Sequence, residues 1–197
     1  MAKKTGEKYQ AIIEAAVKVI ARYGYHNAQV SKIAREAQVA DGTIYLYFDN
    51  KDDVLISLFR EKMGAFIDVI RKQIREYERA EDKLRHLIYM HLLLPARDRN
   101  FAVVTQIELR QSNPAVREGI NKVLKEYLNI IDRIIELGKE QGIFRMDVEV
   151  RIARKMIFGT LDEAVTSWIM NDRQYELASL TDPILSIFIN GLKSNSQ

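Results

Sequence analysis

The sequence predicts an all-α protein. Glycine (9) and proline (3) are scarce among its 197 residues. Apolar residues recur at spacings of three and four along nearly the whole chain, the period of amphipathic helices. Cap-type residues and breakers divide that pattern into about nine helices.

The first helix carries Ile12, Ile13, Ala16, Val17, Ile20 and Ala21 on one stripe, and Gly24 ends it. Ser31 reads as the N-cap of a short second helix with Ile33, Ala34 and Ala37 facing inward. Gln38-Val39-Ala40 forms a tight turn. Asp41 caps a third short helix through Tyr47, closed by Phe48 and broken at Asp49-Asn50. Asn50 then caps a long fourth helix, with Asp52 and Asp53 in its positive first turn. Extended to about Glu78 at ~1.5 Å per residue, it reaches roughly 40 Å. That is too long for a small amino-terminal bundle, so it enters a second domain. Asp82–Leu94 follows, stopped by Pro95, and then Phe101–Gln111. Ser112-Asn113-Pro114 opens a helix to Gly138 or Gln141, with Gly142 as terminator. Asp147–Met170 and Tyr175–Leu192 complete the set. The expected domains are a helix-turn-helix DNA-binding domain over 1–50 and an effector-binding and dimerisation domain over 51–197.

Composition narrows the chemistry. The chain has no cysteine, which excludes disulfides, thiol nucleophiles and thiolate metal sites. His86 and His91 are five apart and share no helical face well, so no metal site is expected. Asp162 and Glu163 are adjacent and diverge on a helix, so they form no catalytic pair. With no nucleophile–base pair and no glycine-rich phosphate loop, no catalytic residues and no cofactor are expected, and the chain is not read as an enzyme. No stretch approaches the ~20 apolar residues that span a bilayer, and the basic start lacks the apolar core of a signal peptide. A cytoplasmic protein with no membrane partner is expected. Net charge is +3, but residues 1–40 hold Lys3, Lys4, Lys8, Lys18, Arg22, Lys32 and Arg35 against Glu7, Glu14 and Glu36. A basic end on a near-neutral body suits a polyanion, and equally a solvated lysine-rich terminus.

Val30–Lys51 has the layout of a helix-turn-helix, two short helices joined by a brief turn. Gly42, Thr43, Tyr45 and Tyr47 fall on the polar side of the second, with Ile44 and Phe48 inward. Gly42 admits close backbone approach, Thr and Tyr hydroxyls can bond phosphate oxygens, and Lys51 can neutralise a phosphate. The same spacing also fits an ordinary surface helix.

The run from Val30 to Lys51, and above all its Gly-Thr-Ile-Tyr-Leu-Tyr-Phe-Asp-Asn-Lys core, resembles the DNA-binding motif of TetR-family repressors. The helix Ile12–Gly24 and its Tyr23-Gly24-Tyr25 end fit as well. The resemblance is strong over residues 7–60 and continues through length and helix count. It implies a TetR-like two-domain helical homodimer bound to double-stranded DNA at a palindromic operator. The family's DNA-contacting positions fall on Ser31, Asp41, Gly42, Thr43, Tyr45, Tyr47 and Lys51. Asp41 is acidic where many members are neutral or basic, and Val30 stands where many carry a hydroxyl.

Within that family, Thr105–Asn113, Met156–Glu163 and Trp168–Asp172 resemble the repressors of fatty acid degradation found in bacilli. That resemblance implies control of β-oxidation genes and release from the operator by a long-chain fatty acyl-CoA effector. Gln106 and Arg110 share a face at i and i+4, where Arg110 either meets the phosphates of a nucleotide-like head group or pairs with Glu108, Glu163 or another carboxylate in a structural network. Leu92, Phe101 and Val104 are candidates for the acyl tunnel, or for core. Ile152, Met156, Gly159 and Thr160 form one stripe, and Leu180, Ile184 and Phe188 another. Buried within the chain they would be core; the resemblance makes them the dimer interface. The rival readings are a family member sensing another hydrophobic molecule, such as a drug, and a helical interaction module without a DNA role.

Overall fold

A computed structural model of the chain describes residues 5–171 and 175–192. Lys3, Lys4 and Asp172, which the sequence reading used, lie outside the described residues. Those residues form nine α-helices: α1 (Glu7–Asn27), α2 (Val30–Glu36), α3 (Asp41–Tyr47), α4 (Lys51–Ile74), α5 (Ala80–Arg97), α6 (Arg99–Glu108), α7 (Pro114–Glu140), α8 (Val150–Met170) and α9 (Thr181–Leu192). A 3-10 turn, Leu177–Leu180, precedes α9.

The chain packs as two compact units, and the division is not at residue 50. The first comprises residues 1–65 and 99–123, the second 66–98 and 124–197. Both α4 and α7 run from one unit into the other. The first unit therefore recruits α6 and the start of α7 around the helix-turn-helix.

In the first unit α1 packs against α2 and α6, and α2 against α3. Its core joins Tyr9, Ile12, Ile13 and Ala16 of α1, Ile33 and Ala34 of α2, Ile44 and Phe48 around α3, and Leu55, Leu58 and Phe59 of α4, all essentially buried. The Tyr9 and Phe48 rings stack at 5.3 Å. Burying each of the Ile, Leu and Phe side chains contributes about 1.5–3 kcal/mol. Gly24 (φ 72) ends the regular part of α1 as expected, with a short turn continuing to Asn27. Gln38 adopts φ 56 in the turn between α2 and α3, with Val39 N–H donating to the Ala34 carbonyl at 3.0 Å. That six-to-one bond is the Schellman closure, here with Gln at the usual glycine position.

In the second unit α5 lies against α8, α9 and the 3-10 turn. Gly142 (φ 68) terminates α7: Gly142 N–H bonds the Lys139 carbonyl and Ile143 N–H the Gly138 carbonyl. Phe144 then folds back onto the bare Cα of Gly138, and Arg145 N–H reaches the Leu192 carbonyl at 2.8 Å.

Cap signals succeeded where the side chain had no better partner. Asn50 Oδ1 accepts Asp53 N–H at 2.9 Å, and Asn113 Oδ1 accepts Ala115 N–H at 3.0 Å. Others are corrected. Ser31 is the second residue of α2, whose cap position is Gln29; Asp41 is the first residue of α3, after Ala40. Neither Gln29 nor Ala40 makes a side-chain cap bond. The α4 helix stops at Ile74 rather than Glu78, its last carbonyl taken by Lys83 Nζ at 2.6 Å. Pro95 does not stop α5, which continues to Arg97. A proline in the last turn removes only one helical N–H, and Asp98 N–H still bonds Leu94 O at 3.0 Å. The α8 helix starts at Val150 rather than Asp147, whose carboxylate is held by Arg145 (3.1 and 3.2 Å) ahead of the helix. The last segment is split before Thr181, which places Pro183 in a first turn where its missing N–H costs nothing.

Candidate nucleic-acid interface and effector site

The outward face of α3 is built by the residues that the motif singles out. Ile44 and Phe48 are buried and anchor the helix, which turns Asp41, Gly42 and Tyr45 outward. Tyr45 is 59% exposed and Leu46 65%, large apolar surfaces for so small a unit. Thr43 and Tyr47 are half-buried, the Tyr47 ring lying 6.2 Å from Tyr9. Gly42 has a helical backbone, and a Cβ built on it meets no atom within 4 Å. Nothing among the described residues requires glycine there. Ser31 is exposed on α2, next to Lys32, whose ammonium lies 4.4 Å above the Tyr23 ring.

Lys51 differs from its expected role as a plain phosphate contact. Its Nζ donates to the Tyr25 carbonyl (2.9 Å) and the His26 carbonyl (3.2 Å), and sits 4.4 Å above the Tyr25 ring. It braces the end of α1 against the start of α4, with one of three ammonium protons left over.

A polar network behind this face was not foreseen as a whole. Glu108, buried at the end of α6, accepts Tyr25 N–H at 3.2 Å and the Gln111 side-chain amide on its other oxygen. The Tyr25 hydroxyl donates to Asp52, which also accepts Asn113 Nδ2 at 3.2 Å. Desolvation first, and then the Asp52 carboxylate beside it, push the Tyr25 pKa well up, so the phenol stays a donor. The sequence reading placed Glu108 in a structural network, which holds, but with Tyr25 and Gln111 rather than Arg110. Glu163 bonds Ser167 Oγ at 2.7 Å.

The candidate effector residues do not behave alike. Arg110 lies in the turn after α6, beyond the helix end at Glu108, so it shares no helical face with Gln106; its Nη1 donates to the Gln106 backbone carbonyl at 3.0 Å, and both residues have further contacts. Val104 and Leu92 are fully buried, Val104 in the first unit and Leu92 in the second. Phe101 is half-buried, its ring 6.3 Å from Phe59. In the second unit, Arg71, Arg75, Lys83 and Arg133 surround a cleft of about 430 Å³ floored by Ile74 and Ile134.

Four helices of the second unit each supply one ring to a central box: Phe66 from α4, His91 from α5, Tyr127 from α7 and Phe158 from α8. Phe66 stacks on Tyr127 at 5.8 Å, and Phe158 lies 6.2 Å from Tyr127 and 6.5 Å from His91. His91 Nδ1 and the Tyr127 hydroxyl are 2.7 Å apart. Desolvation alone lowers the His91 pKa to about 4. An unfolded histidine titrates near 6.5. Between those values the unfolded chain binds more protons, so this contribution is complete above about pH 6.5 and is lost as pH falls towards 4. Denaturant titrations should show a loss of about 2 kcal/mol between about pH 7 and about pH 5. His91→Phe should flatten that dependence, and an equally steep loss in the variant would refute the assignment.

The expected dimer stripe is exposed on α8, with Ile152, Met156 (60% exposed), Gly159 and Thr160 all outward. Leu180 and Ile184 are half-buried. Phe188 is a correction: it is only 8% exposed and belongs to the core of its own chain, while Ile187 is 72% exposed. A one-residue rotation of the α9 face separates expectation from structure. A Cβ at Gly159 or Gly191 meets nothing within 4 Å, so both positions are open.

Among the described residues no helix is long and apolar enough to cross a membrane, and no group of His, Asp and Glu is arranged to hold a metal ion.

An all-helical chain whose exposed α3 follows a tight turn from α2 is a helix-turn-helix DNA-binding regulator in architecture. The chain belongs to the tetR family of bacterial regulatory proteins: that family's amino-terminal model matches residues 12–58, and a model of the YsiA-like protein C-terminal region matches residues 59–191. It is 53% identical over 190 residues to the fatty acid metabolism regulator protein of Bacillus subtilis, covering 96% of this chain and 98% of that one. A crystal structure of the transcriptional regulator FadR from Bacillus subtilis in complex with stearoyl-CoA superposes with a TM-score of 0.90 at 54% identity, over 93% of this chain and 99% of that one. The fatty acid degradation regulator FadR from Bacillus halodurans gives 0.89 at 56% identity, over 94% and 100%.

Proposed function

We propose that this chain is a homodimeric repressor of fatty acid degradation genes, active in the bacterial cytoplasm, without catalytic activity, and released from its operator by long-chain acyl-CoA. The observation that carries the reading is the likeness, over nearly the full length of both chains, to a Bacillus subtilis regulator solved with stearoyl-CoA. The sequence division into a DNA-binding part, 1–50, and an effector and dimerisation part, 51–197, is retained as a functional division.

In this reading each α3 enters a major groove, with the two copies one or more helical turns apart on a palindrome, ~34–36 Å for one turn. Gly42 lets the DNA backbone close on the helix. The exposed Tyr45 and the hydroxyls of Ser31, Thr43 and Tyr47 bond phosphates or base edges, and Lys51 offers its remaining proton. Asp41 lies in the first turn, where its charge favours the helix and can accept from a cytosine amino group. Two copies join through the exposed faces of α8 and α9, Ile152, Met156, Gly159, Thr160, Leu180 and Ile184, with Ile187 in the place expected of Phe188. Effector binding shifts the dimer away from the DNA-binding state only to the extent that it favours the other state. Gln106 and Arg110 remain the candidates for the head group, with Phe101 beside the chain.

The test is fluorescence anisotropy of a labelled promoter fragment at fixed salt, with and without stearoyl-CoA. Salt-dependent binding released by the thioester, but not by free coenzyme A, is expected. Tight binding indifferent to the thioester rejects the effector, and no salt-dependent binding rejects the DNA role. Tyr47→Phe removes one hydroxyl while leaving the ring on Tyr9, and should weaken binding about threefold to tenfold. It is a cleaner probe than Lys51→Ala, which also removes the brace on α1.

A further inference from the structure

The ring box of the second unit contains one polar pair, and its protons can be placed. Tyr127 is 1% exposed, and among the described residues its hydroxyl has a single polar neighbour, His91 Nδ1 at 2.7 Å. A buried hydroxyl proton needs an acceptor, so the Tyr127 O–H donates to Nδ1. The imidazole, neutral near neutral pH because desolvation lowers its pKa to about 4, therefore carries its proton on Nε2. Tyr127 thus holds His91 in one tautomer and one orientation.

The Nε2–H has no acceptor among the described residues. It is not sealed by packing either: His91 keeps accessible surface, and the one closed-off orphan polar atom among the described residues is Asp132 Oδ1. A fixed donor beside Phe66 and Phe158 is therefore left accessible and without an acceptor among the described residues.

We propose that His91 Nε2–H, aimed by Tyr127, is the hydrogen-bond donor to the carbonyl oxygen of an acyl thioester held among Phe66, Tyr127 and Phe158. The rings offer apolar walls to the adjoining methylenes, and the donor offers the one directional bond. A neutral donor without a nearby cation suits a neutral thioester carbonyl. It does not suit a carboxylate, which would be buried uncompensated. The site thereby distinguishes the activated acyl group from the free fatty acid. This inference rests on the proposed acyl-CoA effector and adds the group that reads its functional oxygen.

The deciding experiment compares two probes on the wild-type protein by calorimetry: stearoyl-CoA and S-octadecyl-CoA, a thioether in which a methylene replaces the carbonyl. The thioether is expected to bind about tenfold more weakly, the loss of one buried hydrogen bond. In His91→Phe the thioester should fall to the thioether's affinity, bringing the ratio near one. In His91→Gln, whose amide keeps an N–H, part of the ratio should return. Tyr127→Phe, which releases the tautomer, should reduce it. Equal affinity of both probes for the wild type, or a ratio unchanged in His91→Phe, overturns the hydrogen bond and leaves the effector reading standing. Failure of both probes to bind the wild type overturns both. Because the wild-type comparison needs no substitution, a poorly folding variant does not prevent a decision.

Discussion

Gly138→Ala is expected to destabilise the second unit by about 3 kcal/mol or more, the upper end for overpacking a core. A Cβ at residue 138 would lie 2.0 Å from Cδ2 and 2.3 Å from Cε2 of Phe144. The obstacle is a rigid ring, 1% exposed, that cannot swing away. Phe144 is itself fixed by its backbone N–H on the Gly138 carbonyl at 2.9 Å. Relief would require undoing the turn that ends α7. Chemical denaturation followed by circular dichroism measures the effect. A second variant, Gly138→Ala with Phe144→Ala, should recover part of the loss if the clash is the cause, and additive damage would show that it is not. Alanine is otherwise the better helix former by about 1 kcal/mol, so propensity alone predicts the opposite sign.

Glu108→Ala is expected to cost about 2–4 kcal/mol and to weaken operator binding at least about tenfold. The substitution strands two buried donors, the Tyr25 N–H and the Gln111 amide, each worth roughly 1–3 kcal/mol when left unpaired. The Tyr25 and His26 carbonyls hold Lys51 at the start of α4, so loosening Tyr25 loosens the mount of the helix-turn-helix. Glu108→Gln keeps an acceptor for Tyr25, and a turned-over Gln111 amide restores the second bond. That variant should stay within about 1 kcal/mol of wild type. If Glu108→Ala were as stable as wild type and bound DNA as tightly, the network would have no role in positioning the reading head.

Particular residues show why some of this was legible in the sequence. Asn50, Asn113-Pro114 and Gly142 act on backbone groups within a few residues, so a helix boundary follows from the local string. Ile44 and Phe48 point inward because i and i+4 share a face and nothing polar competes. The readings of Ser31 and Asp41 failed because the chain entered helical geometry earlier, by two residues at Ser31 and by one at Asp41. The α8 start was placed three residues early, at Asp147, whose carboxylate Arg145 holds ahead of the helix. Pro95 was read as a stop although a last-turn proline forfeits a single bond. Pro183 carried a signal that the reading overlooked, since a proline in the first turn dates a helix start.

The amino-acid string alone was enough for the helical class, several helix limits and the helix-turn-helix motif. These depend on periodicity and capping, where bonded geometry sets every relevant distance. The fold had to decide whether Phe188 or Ile187 points outward, that Glu108 meets Tyr25 across 83 residues, and that His91 meets Tyr127 across 36. Each amphipathic helix leaves its rotation and axial position open by about a residue. A shift of one residue turns a side chain by ~100°. Only the simultaneous packing of several helices removes that freedom, so interfaces and polar pairs far apart in the chain emerge at the tertiary level.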